Sequence, residues 1–322
     1  MKKALDILKK HSVEAVLLVL MLMFTIVKGT IFLNINNIIT ILRQSSILGI
    51  MSIGMMFCML SGGLNLAVGS MVSLVTVTSA VFMTSMNIPW PVAFLVSVAI
   101  CTFSGWATGF IIVKTRIWPM IGSLAMQTIL SGVAYIVCGG LPIYDLPKGS
   151  IIFGQANIGV IPLPVIILLA VAVVSAFILN KTYFGRHFYV SGSNVEAARL
   201  SGINTSRICI MSYVISGFLC GIAGVIMTGR VSSGQPAAGK GMDMTCLTAV
   251  VLGGVSMNGG EGKVSKVVVG VFILGVLKNG MTIMNVDEYT QMIVEGLIFL
   301  FAVCFDSLQR ILSERTGKKK AA

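Results

Sequence analysis

The residues of this chain that could do chemistry are few, and they stand in an apolar background. Asn65, Gln127, Lys278 and Asn279 lie inside long hydrophobic runs. A polar side chain there is costly, so it marks either a solute path or a helix contact. The amides of Asn65 and Gln127 donate and accept hydrogen bonds, which suits an uncharged hydroxylated solute as well as a neighbouring helix. Lys278 reads as a snorkelling side chain, with its stem in hydrocarbon and its head at the interface. Two glycine pairs, Gly62-Gly63 and Gly253-Gly254, each follow a short apolar run. Interrupted helices at matching places in two halves point to a translocation path. Close packing through small residues is the competing reading. On the first reading both segments line a cavity and Asn65 faces the solute.

Catalytic chemistry has little foothold. Gly234-Gln-Pro-Ala-Ala-Gly239-Lys240 approaches a phosphate-binding loop, but Gly241 stands where Ser or Thr must hold magnesium, and no strand precedes it. His11 and His187 are the only histidines, and neither has a nucleophile at a useful spacing. No chain of buried acids is evident, which argues against proton coupling. The cysteines sit within or beside apolar runs at spacings unlike any metal motif, so they read as small hydrophobes.

These residues need apolar elements to hold them, and the longest polar interval lies between two such elements. It runs from Lys181 to Arg207. Within it, Ser193 or Asn194 can cap a short helix, Glu196 occupies the first turn, where the dipole favours an anion, and Gly202 ends it. Such a helix is either a surface for another protein or a solvated linker.

Of the 322 residues, 56% are hydrophobic and 11% charged, and mean hydropathy is +0.96. Soluble domains carry about 25% charged residues. The pattern predicts an all-α polytopic membrane protein, one transmembrane domain over residues 1–322, with about ten transmembrane helices and two glycine-interrupted segments. The expected spans are 13–32, 45–60, 66–85, 92–113, 118–137, 160–179, 208–228, 244–255, 264–284 and 289–305. The basic N-terminus precedes an apolar run too long for a secretory leader, so that run counts as a span. Ten spans place both termini on one side. With both inside, 17 Lys and Arg fall in inner segments and 5 in outer loops, and Lys278 lies within a span, which completes the 23. That bias fits the positive-inside rule and makes the 181–207 loop cytoplasmic. It also explains the net charge of +12 without nucleic acid.

Several stretches resemble a known family: SGGLNLAVGS (61–70), GFIIVKTRIWPMIGSLAMQTILSG (109–132), GRHFYVSGSNVEAARLSGIN (185–204), and the block from SGFLCGIAGV to TAVVLGGVSMNGGEGKV (216–264). The chain is similar to the permease subunits of bacterial ribose- and galactose-type sugar ABC importers, relatives of the branched-chain amino-acid permeases, from about Asn37 to Asp306. It departs from them at Asn65, where the family has Asp, at Ala67, where it has Ser, and at Met242-Asp243, where it has Tyr-Glu. The resemblance implies a pentose or hexose as cargo and a bacterial inner-membrane location. It implies three partners in the bilayer system: an ABC ATPase, an extracytoplasmic sugar-binding protein, and a second permease copy or paralogue. The permease is then no enzyme by itself and holds no cofactor, since ATP and Mg belong to the ATPase. Glu196, Ala197, Ala198, Arg199 and Gly202 fall in the loop that docks on that ATPase, so a bulky charge at Ala198 is expected to uncouple hydrolysis from transport. The rival readings are an ion-coupled secondary transporter and a membrane scaffold.

Overall fold

The computed structural model describes residues 12–321, with side chains described for 13–304. Helices dominate. Seven are long and apolar enough to cross a membrane: α1 (Ser12–Phe32), α2 (Ile35–Leu60), α4 (Trp90–Thr115), α5 (Pro119–Val137), α7 (Leu163–Lys181), α10 (Thr205–Val231) and α12 (Val264–Ile283). Two apolar helices are shorter, α3 (Val68–Thr84) and α11 (Met242–Leu252). At 17 and 11 residues they fall short of the roughly 20 that a crossing needs. α13 (Glu288–Ala321) closes the chain. The remaining helices are short: α6 (Ile152–Gln155), α8 (Tyr183–Ser193) and α9 (Val195–Leu200). A small hairpin pairs β1 (Asn157–Ile158) with β2 (Ile161–Pro162). A helix lies on each of the ten expected spans, and Lys2 to Lys10 of the charge count lie outside the described residues.

The core is built around α2, which is buried without interruption from Ser45 to Leu60. α7, α8, α10, α11 and α12 pack around it. α2 starts ten residues before the expected span. Asn36, Asn37, Thr40, Arg43 and Gln44 read as loop in the sequence, yet Asn37, Thr40 and Arg43 find hydrogen-bond partners with the helix formed. Asn34 caps it by accepting from the Asn36 amide at 2.9 Å, and the Thr40 hydroxyl donates back to Asn36 O. Arg43 donates to Gln155 O at 2.9 Å and Asn157 Oδ1 at 2.7 Å. Asn279 donates to Asn37 Oδ1 at 2.8 Å, so that intramembrane amide holds α12 to α2.

α4 and α10 approach closely because both carry glycines four residues apart, Gly105 and Gly109 on one and Gly217 and Gly221 on the other. A Cβ at Gly217 would come within 2.7 Å of Cys101 O, and one at Gly105 would strike the Tyr213 carbonyl. These pairs serve packing.

α13 begins at a cap. Asp287 accepts from the Thr290 amide at 2.8 Å and the Thr290 hydroxyl at 2.7 Å, and these bonds hold its carboxyl below the usual carboxylate value. A lowered folded pKa means that the cap is at full strength above the unfolded value of about 3.9 and is lost as pH falls through the folded one. Hydrogen exchange at the start of α13, corrected for its intrinsic rate, should therefore quicken on acidification, and in Asp287→Asn this pH dependence should vanish.

Candidate functional site

The polar stretch folds into α8, α9 and two tight turns, and its caps explain why. The Thr182 hydroxyl accepts from Gly185 N at 3.0 Å to start α8. Asn194 Oδ1 accepts from Ala197 N at 2.9 Å to start α9. Gly202, at φ +79°, donates to Arg199 O and closes it. Asn204 then caps α10 through Arg207 N at 3.0 Å. Glu196 and Arg199 approach to 3.8 Å, both largely in solvent, so the pair adds little stability. Ala198 is fully buried. It faces this chain, which corrects the expectation that it meets a partner; Glu196, Ala197 and Arg199 face outward. So does Leu200, which is 89% exposed and which the sequence analysis did not single out.

The two glycine pairs are helix C-caps. Gly62 N donates to Met59 O and Gly63 N to Cys58 O at the end of α2, with Gly62 at φ +79°. Gly253 N donates to Ala249 O and Gly254 N to Val251 O at the end of α11, with Gly254 at φ +74°. The chain then brings the two segments together. Gly260 N donates to Leu60 O at 3.1 Å. A Cβ on Gly259 would lie 3.0 Å from the Cα atoms of both Gly62 and Gly192. Gly192, at the end of α8, touches Leu60 O and Gly260 N in the same way. Three backbone strands therefore meet without side chains between them, directly beside α9. Tyr189 adds a tie, its hydroxyl donating to Gly262 O at 3.1 Å.

Asn65 does not face a cavity. It is completely buried. Its Nδ2 donates to Ser216 Oγ at 3.0 Å and its Oδ1 accepts from Ala67 N at 3.1 Å. The amide joins α10 to the start of α3, a buried helix contact. Removing it leaves the buried Ala67 amide and Ser216 hydroxyl short of a partner, at about 1–3 kcal/mol for each group. Asn65→Leu should accordingly lower folded yield and thermal stability in detergent. An unchanged yield with slowed transport would restore the solute-facing role.

Gln127 donates to Asp243 Oδ2 at 3.2 Å, linking α5 to the first turn of α11. Asp243 is buried, although it precedes the expected span 244–255. Residues 232–241 carry it inward as irregular chain along α3. The Thr76 hydroxyl donates to Gln235 O at 2.9 Å, Gly239 N donates to Ser73 Oγ at 2.9 Å, and Gly239 packs on Gly69. Lys278 pairs with Glu295 at 3.7 Å. The expected path residues are thus dispersed: Gly62 lies at the glycine junction near α9 with Gly63 beside it, Gly253 packs on Lys266 and Val267 of α12 with Gly254 next to it, Asn65 joins α10 to the start of α3, and Gln127 bonds Asp243 apart from these. What this arrangement offers is hydrogen bonding and tight backbone contact.

Residues 37–303 match the family described as branched-chain amino acid transport system, permease component. The chain is 35% identical to the ribose import permease protein RbsC of Escherichia coli K12, over 94% of each chain. It is 37% identical to the L-arabinose transport system permease protein AraH of the same strain, over 81% of this chain and 79% of that one. It is 30% identical to the xylose transport system permease protein XylH of Haemophilus influenzae, over 90% and 93%. No solved structure matches the chain.

Proposed function

Because this chain belongs to the family of branched-chain amino acid transport system permease components, we propose that it is the membrane subunit of an ATP-driven importer for a small sugar of the pentose class. The observation that carries the cargo is the likeness to permeases named for ribose, arabinose and xylose, in the first case across 94% of both chains. An uncharged polyol needs only hydrogen-bonding groups and a hydrated route, and a site that must release its cargo binds it weakly. In this reading a separate ATPase docks on α9 and a binding protein outside the membrane hands over the sugar. Two permeases, identical or paralogous, flank the route in a bacterial inner membrane, with the 181–207 loop and both termini in the cytoplasm. The ATP-bound and ATP-free partners prefer different placements of α8 and α9, and that difference in affinity shifts the bundle between inward and outward states. The glycine junction supports this, since it fixes the α8–α9 turn to the ends of α2 and α11.

The buried carboxylate of Asp243 is the one observation that favours the ion-coupled alternative. Uptake of labelled ribose, arabinose and xylose into proteoliposomes holding the permease, its ATPase and its binding protein decides between them. ATP-dependent uptake of a pentose without an ion gradient is the expected result. Uptake driven by a proton or sodium gradient without ATP would sink the importer reading.

A further inference from the structure

A cavity of about 690 Å³ opens beside α9, between the end of α4, the turn that follows it and the start of α10. Its polar side is cationic. Lys114, Arg116 and Arg199 line it, Arg199 with Glu196 at 3.8 Å, and no lining residue is acidic. Arg116 closes α4 in the left-handed region, at φ 56°, which few non-glycine residues adopt. Thr205 and Ser206, the first residues of the 27-residue α10, also line the cavity, so the positive end of that helix dipole adds to the field. A second, independent feature points to a ligand. Ser191 lines the cavity, is 2% exposed, and its Oγ has no hydrogen-bond partner among the described residues. A buried hydroxyl left alone is unfavourable, and an oxyanion would satisfy it.

The other side of the cavity is apolar. Phe110 lines it and starts a stacked aromatic stripe on the outer face of α4. Phe110 lies 5.2 Å from Trp106 at 19°, and Trp106 lies 5.4 Å from Phe103 at 28°. All three rings are exposed. Free phosphate makes no use of such a stripe, whereas a lipid tail does. We infer that this cavity is a phospholipid site that takes an anionic phosphate headgroup between Lys114, Arg116, Arg199 and Ser191, with an acyl chain laid along Phe110, Trp106 and Phe103. Basic pockets at the ends of spanning helices suit such headgroups.

The test uses the full-length protein, delipidated in detergent and titrated with phosphatidylglycerol, phosphatidylcholine or inorganic phosphate. Native mass spectrometry reads bound lipid and thermal unfolding reads stabilisation. Phosphatidylglycerol should bind in preference to phosphatidylcholine. The double variant Lys114→Gln, Arg116→Gln should lose that preference by about 30-fold, the combined share of two basic residues near an anionic headgroup. Lys148→Gln, on a different loop, should keep it. Phe110→Ala should weaken both lipids alike, and Ser191→Ala should weaken phosphatidylglycerol while melting as the parent does without lipid. Should the double variant fold poorly, Ser191→Ala carries the decision. Equal binding of the two lipids, or undiminished phosphatidylglycerol binding in these variants, would overturn the site. Stabilisation by inorganic phosphate equal to that by phosphatidylglycerol would overturn the lipid assignment, and an adventitious ion only would then be the occupant.

Discussion

Gly192→Ala should lose most of the folded protein. The added methyl carbon would overlap Leu60 O and lie 2.6 Å from Gly260 N. These are backbone atoms, and they are the two ends of the hydrogen bond that joins the end of α2 to the loop after α11. Nothing flexible is available to move aside. Overpacking of this kind costs about 1–3 kcal/mol, and losing the buried bond costs about 1–3 more. The sum is a large part of a typical stability of about 5–15 kcal/mol. Fluorescence-detected size-exclusion yield and the thermal midpoint in detergent would show it. Gly132→Ala is the matched control, because a Cβ there meets nothing within 4 Å. A Gly192→Ala protein as abundant and as stable as the parent would mean that the three strands do not touch as described.

Leu200→Glu should leave folding intact and cut ATP-dependent uptake by at least tenfold. Leu200 is the last residue of α9 and 89% exposed, on a helix whose ends are fixed by Asn194 and Gly202. A large apolar side chain held out on a rigid turn is the shape of an anchor for a partner's pocket. Truncating such an anchor commonly costs about 2 kcal/mol or more, and burying a charge in its place costs further. Ala198→Glu should behave in the opposite way. That side chain points into the bundle, so the new charge should reduce folded yield before any partner is involved. Uptake per folded complex separates the two effects. Leu200→Glu transporting at the parent rate would remove α9 as the docking surface.

The sequence made the local features legible and hid the distant ones. The cap at Asn194, the stop at Gly202 and the long apolar helices follow from neighbours within a few residues, and all are present. The glycine pairs were visible too, but a glycine doublet after an apolar run looks the same whether it breaks a helix in a cavity or caps its end. Their partner Gly192 lies some 130 residues from Leu60 and nearly 70 from Gly260, and no period links them. Asn65 could be seen as a costly polar group, yet its partner Ser216 lies 151 residues on. Asp243 was misplaced because residues 232–241 resemble an exterior loop, rich in Gly and Ser around Pro236 and Lys240. Their inward course depends on Ser73 and Thr76 of α3, which only the assembled chain supplies.

α3 has a consequence for how the protein is made. It has 17 residues, several of them Ser or Thr. Many of the groups that cover it come from α10 and the chain just after it: Ser79 meets Thr228, and Ser73 and Thr76 hold residues 239 and 235. While the ribosome is still adding α4 to α7, α3 therefore has only the part of its pocket that α4 and α5 supply. Synthesis through residue 239 is thus the step that completes the pocket of α3.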